Sequence, residues 1–216
     1  MHKHVVRTLG AVVIMMGVAS SANAQVFNQP VYLSPKHGMG LSLAFDYGRG
    51  MNVDSDKLNA YGGRATLGLP FVTVSAAASS VNLGSGSGSE FSWGATASIN
   101  IISAPLVPVG VSVFAGYGRI ADGGTAQRSY PIGAAISVKP PTPGLGIEIW
   151  AAPRVDIKNA LGSTATNFGI SGGLNLDLPI GFGIHGAVDY VAGENLKPLI
   201  LGLGLQYKFA IPGLGL

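Results

Sequence analysis

The chain has 216 residues, of which 47% are hydrophobic and only 11% are charged, whereas charged residues make up about 25% of an ordinary soluble domain. Its 33 glycines show no Gly-X-Y period, and the chain is too apolar for a disordered linker, so collagen and disorder are excluded. The balance of 13 Lys and Arg against 10 Asp and Glu indicates no nucleic-acid partner. The absence of cysteine excludes disulfides, thiolate zinc sites and cysteine nucleophiles.

The first 24 residues have the features of a secretory signal peptide. Lys3 and Arg7 precede an apolar run at residues 8–19, and an Ala-Asn-Ala cleavage site follows at 22–24. The apolar run is too short for a transmembrane helix, which needs about 20 residues. We therefore predict an exported chain that begins near Gln25 and carries 11 basic against 10 acidic residues.

Apolar and polar residues alternate with a period of two along the rest of the chain. Between residues 91 and 101, Phe, Trp, Ala and Ile share one face while Ser, Gly, Thr and Asn share the other, which is typical of a strand. The two long uncharged stretches are unsuited to membrane helices because Pro70, Pro105 and Pro108 interrupt them. We predict ten strands, with eight as the alternative. They lie at residues 39–47, 60–69, 71–83, 91–102, 109–119, 130–139, 145–157, 166–178, 182–191 and 199–209.

The connections between these strands alternate in character. Short connections that contain proline follow every second strand, and longer polar connections follow the others, so we expect turns and loops at opposite ends. The long connections are predicted at 48–59, 84–90, 120–129, 158–165 and 192–198. Strands of about 9–11 residues match a tilted bilayer crossing, and an even number of them closes without an unpaired edge in lipid.

The predicted fold class is therefore all-β, a closed antiparallel transmembrane β-barrel. We assign residues 1–24 to the signal peptide, 25–38 to an N-terminal linker, 39–209 to the barrel and 210–216 to a C-terminal tail. A soluble, lipocalin-like binding barrel would also alternate, but its outer face would be charged and its lumen apolar, the reverse of this pattern.

Over residues 39–209 the chain resembles the small outer-membrane β-barrels of Gram-negative-type bacteria. Its last strand resembles the C-terminal assembly signal of that family, with Gly204, Tyr207 and Phe209 at the expected spacing, although seven residues follow Phe209 here. The resemblance implies a location in the outer membrane, contact with membrane lipid and lipopolysaccharide, insertion by the barrel-assembly machinery, and a monomer.

Charged residues indicate which face lines the lumen, because Lys or Arg on the lipid face at the midplane costs about 2–4 kcal/mol. When the apolar residues set the phase, ten titratable residues fall on the opposite face. These lumen-lining candidates are Asp46, Arg64, Lys139, Glu148, Arg154, Asp156, Asp177, His185, Asp189 and Lys208. Arg119 is the exception, at a loop end where its stem can reach the headgroups. Residues 71–83 fit two phases, which predicts a bulge or a shifted boundary there.

Hairpin geometry predicts three cross-strand pairs among these candidates. They are Asp46 with Arg64, Lys139 with Glu148, and Asp177 with His185. The ten candidates divide into two groups by their depth in the barrel. Those predicted near the loop end are Asp46, Arg64, Arg154, Asp156 and Asp189, and those predicted near the turn end are Lys139, Glu148, Asp177, His185 and Lys208.

Aromatic residues cluster near the predicted strand ends, as in the girdles of membrane barrels. The loop-end set is Phe45, Tyr47, Tyr61, Phe91, Trp93, Tyr117, Tyr130, Phe168 and Tyr190, and the turn-end set is Phe71, Phe182, Tyr207 and Phe209.

Two functions fit a polar lumen: a charged constriction in a porin-like, narrow passive conduit, or a salt-bridged plug that fills a structural barrel. Ten strands lie nearer the filled eight-stranded barrels than the open 16-stranded porins, which favours the plug. Glycines on the lumenal face leave room for water and favour the conduit, whereas inward Phe114 and Trp150 would obstruct it.

An enzyme is the other class of function, since proteases of the omptin type and lipid hydrolases use similar barrels. His185 is the only histidine in the predicted strands, and His37 is expected to be a solvated linker residue. No Gly-x-Ser-x-Gly elbow occurs, and the Gly-Ser repeat at 84–89 lacks the lysine of a phosphate loop. Asp54 and Asp56 could touch a divalent ion but are typical of a solvated loop. We expect no catalytic residues, no cofactor and no metal, and the short loops argue against adhesion.

Overall fold

The computed structural model describes Phe27 and residues 29–52, 58–82, 88–102, 107–122, 125–160, 162–193 and 197–209. The predicted signal peptide and C-terminal tail, Asp54 and Asp56, and residues 84–87 of the Gly-Ser repeat lie outside the described residues. In the described part of the chain, no helix has the length and apolar character needed to cross a membrane.

Ten antiparallel strands form a closed barrel in which each strand pairs with the next and β1 pairs with β10. This confirms the predicted fold class and strand number. The strands are β1 (Gly40–Gly50), β2 (Asn59–Gly68), β3 (Val72–Asn82), β4 (Ser89–Ile102), β5 (Val109–Asp122), β6 (Thr125–Val138), β7 (Gly146–Ala160), β8 (Ser163–Asp177), β9 (Phe182–Ala192) and β10 (Leu199–Phe209).

Two of the predicted loops are mostly strand. The β5–β6 hairpin continues to Asp122 and resumes at Thr125, and the β7–β8 hairpin continues to Ala160 and resumes at Ser163. The paired register continues to Asp122 with Thr125 and to Ala160 with Ser163, so the ladder extends beyond the apolar belt. Polarity alone had suggested loops at 120–129 and 158–165.

β3 does not contain a bulge, which was one of the two expectations for residues 71–83. β3 pairs with β2 and β4 in an unbroken register, and the irregularity lies instead between Asn100 and Ile102 of β4. Val74 faces outward and Val81, fully buried, faces inward. The apolar Val81 faces the lumen because it packs there against Phe27.

The outer face carries an apolar belt bounded by two groups of aromatic rings. Leu, Ile and Val side chains such as Ile149 and Leu205 are exposed between the groups. At the loop end, Trp93, Tyr117 and Tyr130 are in ring contact at 5.3 and 5.5 Å. At the turn end, Phe182, Tyr207 and Phe209 are in edge contact, with both centroid distances 4.7 Å. This is the arrangement expected of a surface that meets lipid.

The buried core of the protein lies inside the barrel and includes residues that precede β1. Phe27 and residues 29–39, which we name the lumenal segment, fold back between the inner walls. Phe27, Val31, Tyr32 and Leu33 are buried there. The sequence had predicted a linker in this region, and the described residues do precede the first strand, but they fill the lumen.

Candidate functional site

The lumenal segment runs the length of the barrel. At the turn end, the Lys36 ammonium donates to the Val107 carbonyl oxygen, just before β5 begins. At the loop end, the Phe27 amide donates to Ser92 Oγ at 3.1 Å. The Phe27 ring packs in a socket made by loop-end residues. These are Leu58, Ala60, Val81 and Ile120.

The middle of the lumenal segment is held by a few hydrogen bonds and an apolar cluster. The Val31 amide donates to Ser171 Oγ at 3.2 Å, and Gln29 Nε2 donates to the Asp46 carbonyl oxygen at 3.1 Å. Ser34 Oγ donates to the Glu148 carboxylate. Val31, Tyr32 and Leu33 pack against inward side chains of four strands. These are Phe114, Ala135, Trp150, Ala152 and Ala187. The segment therefore closes the lumen at mid-depth.

Glycines on the inner wall make room for this segment. A Cβ at Gly202 would overlap Tyr32 Oη and lie 2.6 Å from Pro30 Cδ. A Cβ at Gly110 would lie 2.6 Å from Lys36 Cγ. We had expected lumenal glycine to leave space for water, but at these positions the space is taken by the protein's own chain.

A central polar cluster lies beneath Tyr32. Arg64 donates to both carboxylate oxygens of Asp46, at 2.9 and 3.3 Å, and His185 Nε2 lies 2.7 Å from Asp46 Oδ1. The Tyr32 ring covers Arg64 at 4.9 Å and meets the His185 ring at 4.6 Å. Gly204 lies between His185 and Asp46 in the sheet, and a Cβ there would lie 2.5 Å from Asp46 Oδ1.

This cluster contains one predicted pair and replaces another. Asp46 pairs with Arg64 as the hairpin geometry had suggested. His185 pairs with Asp46 and not with Asp177, because β10 presents only Gly204 between them. His185 accordingly lies at the same depth as Asp46 and Arg64, which we had predicted near the loop end, and not in the turn-end group in which we had placed it.

A second cluster surrounds Arg154 nearer the loop end. Arg154 Nε donates to the Asp156 carboxylate at 3.0 Å, and the two terminal nitrogens donate to the Asp189 carboxylate at 2.8 and 3.1 Å. Arg154 also donates to Ser171 Oγ at 2.9 Å, and that hydroxyl donates to Asp189. The guanidinium is completely buried, so the two carboxylates neutralise it inside the barrel.

A third, more solvated cluster lies at the turn end around Asp177. Asp177 accepts hydrogen bonds from Lys208 at 2.7 Å and from Gln206 at 2.8 Å, and Lys139 Nζ lies 3.9 Å away. Among the described residues, Lys139 forms its ion pair with Asp177 and not with Glu148 as predicted. Glu148 instead accepts from Ser34 of the lumenal segment and from Asn175 at 3.3 Å.

Replacing Asp177 with asparagine should lower the free energy of unfolding by only about 1 kcal/mol or less, because its partners are partly solvated. The side chains of Lys208 and Lys139 are 27% and 31% exposed. Urea unfolding of the refolded barrel in detergent measures the change. A loss as large as that expected for a fully buried pair would show that this end of the lumen is dry.

Sequence reasoning missed the lumenal segment and two wall residues. The segment contains Phe27, Val31, Tyr32 and Leu33, which is an apolar composition unusual for a solvated linker and was the available signal. Lys158 is buried on the same face as Arg154 and Asp156, and was missed because the predicted strand ended at 157. Ser171 gave no signal, since a lone serine in a strand is unremarkable.

The remaining candidate residues lie as follows. His37 is half-buried, and its Nε2 lies 3.4 Å from Ser42 Oγ, so it is not a freely solvated residue. Tyr207 and Phe209 face outward in the turn-end girdle, while Gly204 faces the lumen. In the part of the chain that the structure describes, no group of three His, Asp or Glu side chains is arranged to hold a metal ion.

No protein-family model matches the chain, and no curated protein sequence matches it significantly. Among solved structures, the β domain of the Bordetella autotransporter BrkA is similar, with a TM-score of 0.53, 11% identity, and coverage of 80% of this chain and 100% of that one. LpxR from Salmonella typhimurium has a TM-score of 0.47 and 7% identity, covering 78% of this chain and 100% of its own. The N-terminal β-barrel domain of OprF from Pseudomonas aeruginosa has a TM-score of 0.40 and 14% identity, covering 79% and 97%.

At such low identity the similarity concerns the fold alone. The chain has the closed β-barrel fold of small bacterial outer-membrane proteins, as the sequence resemblance indicated.

Proposed function

We propose that this protein is an outer-membrane barrel that its own N-terminal segment holds closed, and that it becomes a narrow passive conduit for small solutes when that segment leaves the lumen. The observation that carries the proposal is the burial of Phe27, Val31, Tyr32 and Leu33 along the lumen. The outward apolar belt with aromatic rings at both ends supports the membrane location.

The lumenal segment is bound to the wall less tightly than the strands are bound to each other. Its contacts are a handful of hydrogen bonds, two apolar clusters and the ring contacts of Tyr32, whereas each strand is joined to two neighbours by a continuous ladder. A single hydrogen bond contributes about 0.5–1.5 kcal/mol. Withdrawal of the segment therefore costs far less free energy than separation of two strands of the barrel. The segment is accordingly the part of the protein best suited to open and close the lumen.

We propose no catalytic role. Of the two histidines that the structure describes, His37 belongs to the lumenal segment itself, and His185 lies inside the barrel beside that segment. A substrate in the membrane or at the loop rim would not reach them while the segment is in place.

A thiol-to-thiol crosslink tests the proposal. Ser34 and Glu148 are in side-chain contact, and the chain has no native cysteine, so Ser34→Cys with Glu148→Cys can be joined by a short bifunctional reagent. We expect planar-bilayer recordings of the uncrosslinked double variant to show brief, small conductance steps, and the crosslinked protein to show none. The reagent should leave the Glu148→Cys single variant unchanged, which makes that variant the matched control.

A barrel lacking residues 25–37 provides the opposite state. It should show longer and more frequent open steps than the full chain in the same bilayer. If the crosslinked protein conducts as well as the shortened barrel, or if the shortened barrel inserts but never conducts, the gating role of the segment is wrong.

A further inference from the structure

The inner wall of the barrel is divided into two chemically different halves. Buried charged side chains come from β7, β9, β1 and β2, in the Arg154 and Asp46 clusters. Many inward positions of β3 to β6 carry hydroxyls and amides, which we name the hydroxyl wall, and glycines and the apolar Val81, Phe114, Ile120 and Ala135 lie between them. Its members are Thr73, Ser75, Ser79, Ser92, Thr96, Ser98, Asn100, Ser112, Gln127, Ser129 and Ser137. Among the described residues of β3 to β6, the charge nearest the lumen is Glu90, which is half-buried at the loop-end start of β4.

The hydroxyl wall contains most of the buried polar atoms without a protein partner. In the described part of the chain, five of its members have a hydroxyl group that neither donates nor accepts a hydrogen bond. They are Ser79, Thr96, Ser112, Ser129 and Ser137. On the charged half, by contrast, Ser171 binds both Arg154 and Asp189. Buried hydroxyls are ordinarily hydrogen-bonded to protein or to water.

The unpartnered hydroxyls span the barrel from one end to the other. Ser137 on β6 is paired with Gly110 near the turn end, and Ser112 lies two residues further along β5. Thr96 lies at mid-depth opposite Gly116, and Ser79 lies toward the loop end opposite Ser92. A Cβ at position 116 would lie 3.0 Å from Thr96 Oγ1, so glycine there leaves that hydroxyl uncovered.

The lumenal segment makes its mid-depth polar contacts with the other half of the wall. Gln29, Val31 and Ser34 bind groups on β1, β8 and β7. Beside the segment lies a small cavity of about 20 Å³, lined by Thr66, Thr73 and Ser75 on one side and by residues that include Arg64, His185 and Lys208 on the other. This volume is sufficient for a single water molecule.

We propose that the open conduit favours small uncharged polar solutes, such as polyols, urea and water, which travel along the hydroxyl wall, and that ions pass more slowly and without preference for either sign. The inference rests on the proposed gating function and deepens it by naming the solute class. A hydroxyl both donates and accepts, so it can replace the hydration of a neutral polar solute. It offers no charge to compensate an ion that loses its water, and the charges that the other half offers are already bound to partners of opposite sign, Arg64 to Asp46 and Arg154 to both Asp156 and Asp189.

Liposome swelling and reversal potentials test the proposal on the barrel lacking residues 25–37. We expect fast uptake of glycerol and urea, and a reversal potential close to zero in a potassium chloride gradient. Thr96→Val with Ser112→Ala should slow glycerol uptake by about fivefold, the effect of one lost hydrogen bond. Ser80→Ala, on the outward face of the same wall, is the matched control and should leave uptake unchanged. Gly202→Val in the full chain supplies a second open form if the shortened barrel fails to fold.

The outcomes separate the two proposals. If neither open form passes any solute, the gating function and the solute class are both wrong. If solutes and ions pass but the reversal potential shows strong preference for cations or anions, or the hydroxyl substitutions leave glycerol uptake unchanged, the solute class alone is wrong and the gate stands.

Discussion

Replacing Arg154 with methionine will lower the free energy of unfolding by about 3–5 kcal/mol, because two buried carboxylates, Asp156 and Asp189, then share the single buried cation Lys158. The Arg154 guanidinium is bound to Asp156, Asp189 and Ser171, and none of the three ionised side chains is more than 1% exposed. Methionine fills much of the same volume, so the lost charge, and not a cavity, will dominate. Urea unfolding of the refolded barrel, followed by tryptophan fluorescence, measures the loss.

Two further variants separate the charge effect from general damage. Arg128→Met alters an outward, exposed arginine on β6 and should change stability by less than about 0.5 kcal/mol. Arg154→Met combined with Asp189→Asn should recover a large part of the loss, since the remaining Asp156 carboxylate keeps its electrostatic interaction with the buried Lys158. If this double variant is as unstable as the single one, the cluster does not act through charge neutralisation.

Replacing Gly202 with valine will drive the lumenal segment out of a barrel that otherwise stays folded. The new side chain would overlap Tyr32 Oη and come within 2.6 Å of Pro30. β10 cannot retreat because Gly202 is paired with Ala187 on β9 and with Gly48 on β1. Overpacking costs about 1–3 kcal/mol, which corresponds to a roughly tenfold or larger rise in the population of the displaced segment.

Maleimide labelling of a Val31→Cys background measures this displacement. Val31 is 1% exposed, so its cysteine should react slowly in the parent and about tenfold faster or more with Gly202→Val. Gly172→Val is the matched control on the outward face of β8, where the nearest atom to a new Cβ is 3.5 Å away. Equal labelling rates in the Gly202 variant and its parent would contradict the placement of the segment against β10.

The alternation of apolar and polar residues was sufficient to predict ten strands and the inward face of nearly every one. Strand 145–157 illustrates why: Ile147 and Ile149 face outward and Glu148 faces inward, and each one-residue shift would place a charge in lipid. Strand ends were harder to predict. Above the apolar belt the cost of a misplaced polar residue disappears, so residues 120–129 could pair as strands without any apolar signal.

Contacts between side chains of strands that are far apart in the sequence could not be predicted from residue spacing. Asp46 and Arg64 share a hairpin, and their pairing followed from sequence. His185 reaches Asp46 across β10, and the contact exists because the intervening position is Gly204. That contact requires the closure of β10 onto β1, which brings together residues 139 positions apart.

The sequence by itself determined the membrane barrel, because a two-residue period with charges confined to one face allows a single solution in lipid: a closed sheet with its polar side inward. Only the tertiary structure decided what fills that inner side. An inward valine at 81, glycine at 202 and an apolar stretch around Tyr32 are separately unremarkable in the sequence. Their complementarity appears when the barrel closes: Val81 then packs against Phe27, and Gly202 leaves the space that Tyr32 and Pro30 occupy.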